Sequence, residues 1–396
     1  MFHDSLLQWQ ESLLYRRIFA PAPMRVKRLR LRNFRNYAQV QMEPGAGLNV
    51  LIGANAQGKT NLLEALYYAS TFRPLRPVRE GDLVRWGEQE AHLHLSFVRQ
   101  GIEDELSIRI PLVGKRVVIL NEQPVSRQSE LVGRLKVVCF TAQDLLLIRG
   151  EPAERRRFLD SELSLISHRY LYSAAQYRRC LEQRNNLLRA HLEGHAHLDS
   201  LPEWDMQLVK YGARLFSERR RFLEQLQLFA TKVHAALTGG KEVFQLVYQP
   251  GLPRKSQLPD KEEDWANALQ AALHEVESEE IRRGVSLVGP HRDDFLILID
   301  GRDARMFASQ GQQRTCALSL RLAEVPLLEQ RIQEVPVLLD DVFSDLDAER
   351  RRRLVRFLQP QTQTFFTCTS LSDLSDLPGA VTIYRVEKGE VLHAAD

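Results

Sequence analysis

Apolar and polar positions change rhythm along the chain, and each rhythm predicts a different element. Val26, Leu29 and Leu31, set between Arg28, Arg30 and Arg32, read as a half-exposed strand leading into Asn33-Phe34-Arg35-Asn36. Gly47 to Ile52 is a short apolar run with strand character, and behind it Leu62, Leu66 and Ala69 recur at helical spacing. Three alternating runs follow, around Leu93-Leu95-Phe97, Leu106-Ile108-Ile110 and Val117-Ile119, with turns at Gly101 and Gly114, which predicts an antiparallel sheet. A buried strand over Leu135 to Phe140 ends in Thr141-Ala142-Gln143-Asp144. From Glu151 to about Ile281 the pattern is helical, broken near His191 to Pro202 and from Thr238 to Pro259, and no heptad repeat persists as a long coiled coil would require. The last third returns to mixed structure. Ser309 to Gln313 opens a helix through Ala317, Leu320, Leu327 and Leu328, Val335 to Leu339 and Thr364 to Thr369 read as strands, and a hairpin turns near Lys388-Gly389.

The expected class is therefore α/β. Leu6, Leu7, Trp9, Leu13 and Leu14 fit a short amphipathic helix ahead of Ala20-Pro21-Ala22-Pro23, but the favoured expectation for residues 1–23 is an N-terminal extension or an upstream start codon, with Met24 opening the folded part. Residues 24–150 and 283–396 make one nucleotide-type lobe, and residues 151–282 a helical lobe inserted into it.

One stretch fixes the chemistry. Gly53-Ala54-Asn55-Ala56-Gln57-Gly58-Lys59-Thr60 fits G-x-x-x-x-G-K-[ST] between a strand and a helix, the context a phosphate-binding loop requires. Glycines let backbone N–H groups wrap phosphates, the helix N-terminus adds partial positive charge, Lys59 reaches the β/γ-phosphates, and the Thr60 hydroxyl can ligate Mg²⁺. The strand ending in Asp340-Asp341 supplies the second half of such a site, with Asp340 holding Mg²⁺ through water and Asp341 orienting or deprotonating the attacking water.

Bulk composition narrows the partners little. The chain has 396 residues, 44% hydrophobic and 27% charged, with a formal charge of only +3, so any nucleic-acid surface must come from local arginine clusters. Arg155-Arg156-Arg157, Arg178-Arg179, Arg219-Arg220-Arg221 and Arg350 to Arg353 are the candidates, each weighed against pairing with nearby carboxylates or an exposed helix face. Cys139, Cys180, Cys316 and Cys368 form no C-x-x-C pair, which suits a reducing, cytoplasmic setting. His191, His195, His197 and Asp199 fall in a polar break and read as solvated side chains before they read as a metal cluster. There is no secretory signal pattern, and no run is long enough to cross a membrane.

Ser309-Gln310-Gly311-Gln312 resembles the signature loop of ABC-type ATPases, in which serine, glycine and helix N-terminus contact the γ-phosphate bound by another subunit; the competing reading is a simple helix cap. Together with Asn33 to Tyr37, the phosphate loop, Glu154 to Asp160, Gly289 to Asp294 and Leu339 to Asp347, these residues make the chain similar to the RecF family, bacterial recombination mediators of the SMC-like branch of the ABC ATPases. The resemblance runs from Met24 to the C-terminus. It implies a P-loop ABC-type ATPase head with an added antiparallel sheet and an inserted helical lobe, ATP and Mg²⁺ as cofactors, slow DNA-stimulated hydrolysis, and an ATP-dependent head-to-head homodimer. It also implies binding to duplex DNA and single-strand junctions, and work with RecR and RecO to help RecA load during repair, replication and the SOS response. By the same resemblance Arg35, Ser309, Gly311 and Gln312 join the nucleotide contacts, and Gln143 is the glutamine that couples Mg²⁺ to the lobe interface. One departure stands out: Cys368-Thr369 occupies the place where ABC transporters carry a histidine, which weakens γ-phosphate sensing there.

Three other readings are open to the sequence. A membrane-transporter ATPase usually has a shorter spacing between phosphate loop and acidic strand, and a basic helical lobe has no obvious purpose in one. An SMC-type DNA tether needs longer coiled-coil arms than this insert offers, while another SMC-like ABC ATPase acting as an ATP-gated DNA clamp stays open as the alternative. A pure ATP switch is disfavoured by Asp341.

Overall fold

The structure is a computed structural model that describes residues 24–125, 128–131, 134–253, 258–329, 335–343, 346–358, 363–370 and 381–393. The expectations for residues 1–23 and for Ser344 and Asp345 lie outside this range.

Strand β1 (Arg25–Phe34) buries Val26, Leu29, Leu31 and Phe34. Val26 and Leu29, three positions apart, would face opposite ways in a regular strand. A register shift between Val26 and Arg28 turns both inward. β1 pairs with β2 (Tyr37–Met42), a strand with no separate signal in the sequence, through the Phe34–Tyr37 register of a tight hairpin. β3 (Leu48–Ile52) leads into the phosphate loop, and α1 (Lys59–Thr71) follows it. β4 (Glu90–Arg99), β5 (Ile102–Pro111), β6 (Val117–Leu120) and β7 (Gln123–Pro124) complete an antiparallel sheet of order β2-β1-β4-β5-β6-β7. β8 (Val138–Phe140) is a short, fully buried strand.

The chain then enters a second compact unit, Thr141–Leu327. Its helices are α2 (Pro152–Ile166), α3 (His168–Leu192) and the 38-residue α4 (Leu201–Thr238), which stops at Gly239 in the left-handed conformation with φ 70°. The predicted breaks at His191 to Pro202 and Thr238 to Pro259 fall close to the ends of these helices, but the second contains β9 (Phe244–Gln249). α5 (Glu262–Arg283) follows, then β10 (Asp294–Ile299) and β11 (Arg302–Asp303), which pair with β9 in the order β11-β10-β9. α6 (Gln310–Glu329) is the helix expected after Ser309.

The unit boundaries therefore differ from the expected 150 and 282 and lie at Phe140/Thr141 and Leu327/Leu328. The reason is strand pairing: β10 completes its hydrogen bonding with β9 and β11, so residues 283–327 go with the helical unit. Long-range pairing is not encoded in local periodicity.

β12 (Val337–Leu339), α7 (Ala348–Leu358), β13 (Thr364–Cys368), β14 (Val381–Glu387) and β15 (Glu390–His393) return the chain to the first unit. The central sheet has order β15-β14-β3-β13-β12-β8, parallel except for β15. Strands β3, β13, β12 and β8 are buried almost throughout, as expected where both faces are covered, whereas β14 and β15 at the edge are partly exposed. Leu62, Leu66 and Ala69 of α1 share one core with Leu93 and Leu95 of β4 and with Leu51 and Phe365 of the central sheet. The observed class is the expected one: α/β, with an antiparallel sheet added to a nucleotide-type head.

Candidate functional site

Local geometry at the end of β3 admits little but glycine. A Cβ on Gly53 would lie 2.2 Å from the Val386 carbonyl oxygen, and Gly58 caps α1 at φ 115°, a conformation that L side chains rarely adopt. The loop is braced from outside by side chains. Asn36 Nδ2 donates to the Gln57 carbonyl at 2.9 Å, the Tyr37 hydroxyl donates to the Gly58 carbonyl at 2.9 Å, and Asn61 Nδ2 donates to Asn36 Oδ1 at 2.8 Å. Ala54, Asn55 and Ala56 make its open turn, with Ala56 at φ 64°.

Lys59 Nζ donates to the carbonyls of Gly53 at 2.7 Å and Ala54 at 2.8 Å, so the ammonium is held inside the loop. Burial pulls its pKa below the ordinary lysine value, opposed by Cys368, Asp340 and Asp341. A phosphate would bring both negative charge and better acceptors to this ammonium.

Thr60 and Asp340, 280 positions apart, meet at the C-terminal ends of parallel strands, where ligands bind in open α/β sheets. The Thr60 hydroxyl lies 2.9 Å from each Asp340 carboxylate oxygen. A residue that no sequence pattern singled out completes the arrangement. Thr367 Oγ1 donates to Asp340 Oδ1 at 2.8 Å and accepts from the Asp341 N–H at 2.7 Å, fixing both acidic positions at once. The available hint was a second threonine late in the strand Thr364–Cys368, after Phe365 and Phe366. Asp341 is exposed and bends the chain at φ 49°. A hydroxyl beside a half-buried carboxylate is the hard-oxygen donor set that Mg²⁺ takes, so these residues fit that ion.

Burial raises the Asp340 pKa above the ordinary carboxylate range, as does Asp341, while Thr367, Thr60 and Arg76 lower it. An acid with a raised folded-state pKa carries no penalty below its unfolded value, and the full penalty once pH exceeds the folded value. Asp340→Asn should therefore raise the melting temperature of the metal-free protein at pH 8 and leave it unchanged at pH 3.5, while removing the Mg²⁺-dependent part of ATP binding. Thermal melts at the two pH values, with and without Mg²⁺-ATP, check both effects.

Arg35, expected among the nucleotide contacts, is engaged by protein groups. Its Nε and Nη2 donate to the Glu64 carboxylate at 2.7 and 2.9 Å, and its Nη1 donates to the Asp82 carbonyl at 2.8 Å. Glu64 is fully buried on α1, and a buried carboxylate must be paired, so Arg35 acts as a brace between α1 and the segment that follows it.

In the second unit, Ser309 and Gln312 form a reciprocal cap on α6. The Gln312 N–H donates to Ser309 Oγ at 3.3 Å, and Gln312 Oε1 accepts from the Ser309 N–H at 2.9 Å. Gly311 gives its carbonyl to Thr315 Oγ1 at 2.8 Å. Behind the cap, Gln312 Nε2 donates to Glu242 at 3.3 Å, Glu242 pairs with buried His234 at 3.0 Å, and His234 meets Ser319 Oγ at 3.1 Å. Gln143 is exposed in a short turn of helix over Ala142–Leu145, its N–H bonded to Thr141 Oγ1 at 3.2 Å.

The arginine clusters divide. Arg155 is buried against Asp294, and Arg219 is buried among Asp293, Asp160 and the Pro290 carbonyl. Asp293 also accepts from Tyr248 Oη at 2.6 Å and the Gly251 N–H at 2.8 Å, and burial pushes the neighbouring His291 down to about 4. Gly289 to Asp294 is thus a packed structural node. Arg220 pairs with Glu224 and Asp260, and Arg353 with Glu349. Arg178, Arg179 and Arg221 are exposed. Among the described residues no three His, Cys, Asp or Glu side chains gather as a metal site, and His191 Nδ1 meets the Ala196 carbonyl at 3.0 Å. No described helix is long and apolar enough to cross a membrane.

The family described as RecF/RecN/SMC N terminal domain matches residues 25–391. The DNA replication and repair protein RecF of Pediococcus pentosaceus is 38% identical over 94% of this chain and 100% of its own length. The chain belongs to the RecF family. A relative of the same name from Heliobacterium modesticaldum is also 38% identical, over 93% of this chain and 99% of its own. Among solved structures, the recombination mediator protein RecF with ATP, from the RecFOR pathway, matches with TM-score 0.85 and 31% identity, covering 95% of this chain and 99% of that one. An Smc head domain from Pyrococcus furiosus shares the fold alone, at TM-score 0.54 and 14% identity over 94% of this chain and 96% of that one. Family membership and the fold shared with the RecF and Smc-head structures make the chain an ABC-type ATPase head in architecture.

Proposed function

We propose that the protein is an ATP-dependent, DNA-binding recombination mediator of the cytoplasm, acting in DNA repair and replication. The backbone of Gly53 to Thr60 wraps the triphosphate, and Lys59 exchanges its loop carbonyls for the β/γ-phosphates. Thr60 and Asp340 hold Mg²⁺, which supplies charge neutralisation at the phosphates when bound. Asp341 orients the attacking water and takes its proton, giving slow, DNA-stimulated hydrolysis, and Gln143 couples the metal to the lobe interface. ATP drives a homodimer in which Ser309, Gly311 and Gln312 of one copy reach the γ-phosphate held by the other. The dimer binds duplex DNA and single-strand junctions, and with RecR and RecO promotes loading of RecA.

The observation that carries this reading is the convergence of Thr60 and Thr367 on Asp340 beside Lys59, in a chain of the RecF family. Sedimentation with and without Mg²⁺-ATP, and with and without duplex DNA, tests it. A monomer that becomes a dimer with ATP and then binds DNA is expected. An unchanged mass at saturating Mg²⁺-ATP would sink the dimer.

Exposed arginines should bind backbone phosphate with little base preference, so affinity falls steeply with salt. Arg178 and Arg179 sit side by side on α3, exposed, with no carboxylate within ion-pair distance among the described residues. Charge reversal at both should flatten the log K against log[salt] slope by roughly one unit per lost phosphate contact. A slope equal to that of the natural protein would place the DNA surface elsewhere.

A further inference from the structure

The segment between α1 and β4 has a composition that the nucleotide site does not use. Its stretch from Arg73 to Trp86 carries Arg73, Arg76, Arg79 and Arg85 against only Glu80 and Asp82, and Trp86 is 98% exposed. Both carboxylates are already engaged. Glu80 pairs with Arg116, and Asp82 Oδ2 accepts the Arg79 N–H at 2.9 Å. Arg73, Arg76 and Arg79 are exposed, and among the described residues none has a carboxylate within ion-pair distance, while Arg85 reaches Glu88 only at 3.8 Å. A fully solvated indole costs free energy, and an unneutralised run of arginine beside it favours a polyanion with an apolar face.

The segment is nevertheless held firmly. The Arg85 N–H donates to the Asn33 carbonyl at 2.8 Å, Asn33 Nδ2 donates to Glu88 at 3.1 Å, and Phe34 bridges Val84. The Arg35 N–H and guanidinium donate to the carbonyls of Leu83 at 2.7 Å and Asp82 at 2.8 Å. The Leu75 N–H donates to Glu64 on α1 at 3.2 Å. On its other side the same turn, through Asn36 and Tyr37, holds the carbonyls of Gln57 and Gly58 in the phosphate loop. Trp86 thus stands on a backbone braced to the nucleotide loop.

We propose that Arg73 to Trp86 is a nucleic-acid contact in which Trp86 stacks on an unpaired base while Arg73, Arg76 and Arg79 hold the flanking phosphates. Base–aromatic stacking beside arginine is the general solution for single strands, and it tolerates any sequence because every base has a π-face. The partner is therefore a gap or single strand rather than an uninterrupted duplex, whose bases are already stacked. This contact rests on the DNA-binding reading above and gives it a location. The Asn33–Tyr37 turn is the physical link by which nucleotide at Lys59 and nucleic acid at Trp86 sense one another.

The test uses the full chain with saturating Mg²⁺-ATP and fluorescent oligonucleotides: a single strand, a gapped duplex and a continuous duplex of equal length. Trp86→Ala should weaken binding to the first two about tenfold and change continuous-duplex binding less than about twofold. Trp86→Phe, which keeps a stacking ring, should restore most of the loss. Arg76→Gln and Arg79→Gln should each lower the salt slope by roughly one unit. Unaltered ATP binding by each variant shows that the fold and phosphate loop are intact. Full affinity of Trp86→Ala for the gapped duplex overturns the proposal. So does an equal loss on all three DNAs, or a loss of self-association with DNA binding kept, which would make the patch a protein interface. Failure of the natural protein to bind any of the three removes the DNA-binding reading itself, and this contact with it.

Discussion

Lys59→Met should lower ATP affinity by about two orders of magnitude, the scale of losing charge-assisted contacts to two phosphates. The fold should survive the change. Among the described residues the ammonium donates only to the Gly53 and Ala54 carbonyls, and burial already disfavours its charged form. Methionine matches the stem in length and removes the charge, so the melting temperature without nucleotide should hold or rise. ATP-dependent DNA binding should fall together with ATP binding. Calorimetric titration of Mg²⁺-ATP, with melts as a control, decides it; undiminished affinity in the variant would remove the premise of the whole site.

The second large effect separates a composite dimer site from a monomeric ATPase. If Ser309 reaches the γ-phosphate held by Lys59 of another copy, Ser309→Arg should leave ATP binding within about twofold while abolishing ATP-driven dimerisation and hydrolysis, because a bulky cation blocks close approach of the heads. The observed cap adds a complication, since removing a serine N-cap costs about 1 kcal/mol by itself. Ser309→Asp resolves it: aspartate caps a helix as well as serine does, yet repels phosphate, so it should keep the melting temperature and still lose the dimer. Asp341→Asn should fail in the opposite direction. Asp340 keeps its Thr60 and Thr367 partners, so the ATP dimer should form, while hydrolysis slows on the order of a hundredfold or more without the orienting carboxylate. Sedimentation and phosphate release on the three variants give the answer, and a Ser309→Asp protein that dimerises and hydrolyses normally would reduce the signature loop to a helix cap.

Local chemistry was sufficient for much of this protein. The phosphate loop, the apolar strands around it and the alternating runs of β4 to β6 are legible because each depends on neighbours within one element: glycine where the backbone must turn or touch, period two where one face is wet. The acidic pair at the end of β12 was legible for the same reason. What pairs with what was not. Thr60 and Asp340 meet because β3, β13 and β12 lie side by side, and Thr367 enters only through that register. The bulge that reconciles Val26 with Leu29, and the capture of β10 by β9, are likewise decisions of long-range hydrogen bonding. Charge fared worst. Arg35, Arg155 and Arg219 look in sequence much like Arg76, Arg178 and Arg179, yet the first three are consumed by Glu64, Asp294 and Asp293 and the others face solvent. A guanidinium's role depends on the carboxylates that arrive beside it from distant segments, and those arrivals are fixed by tertiary packing.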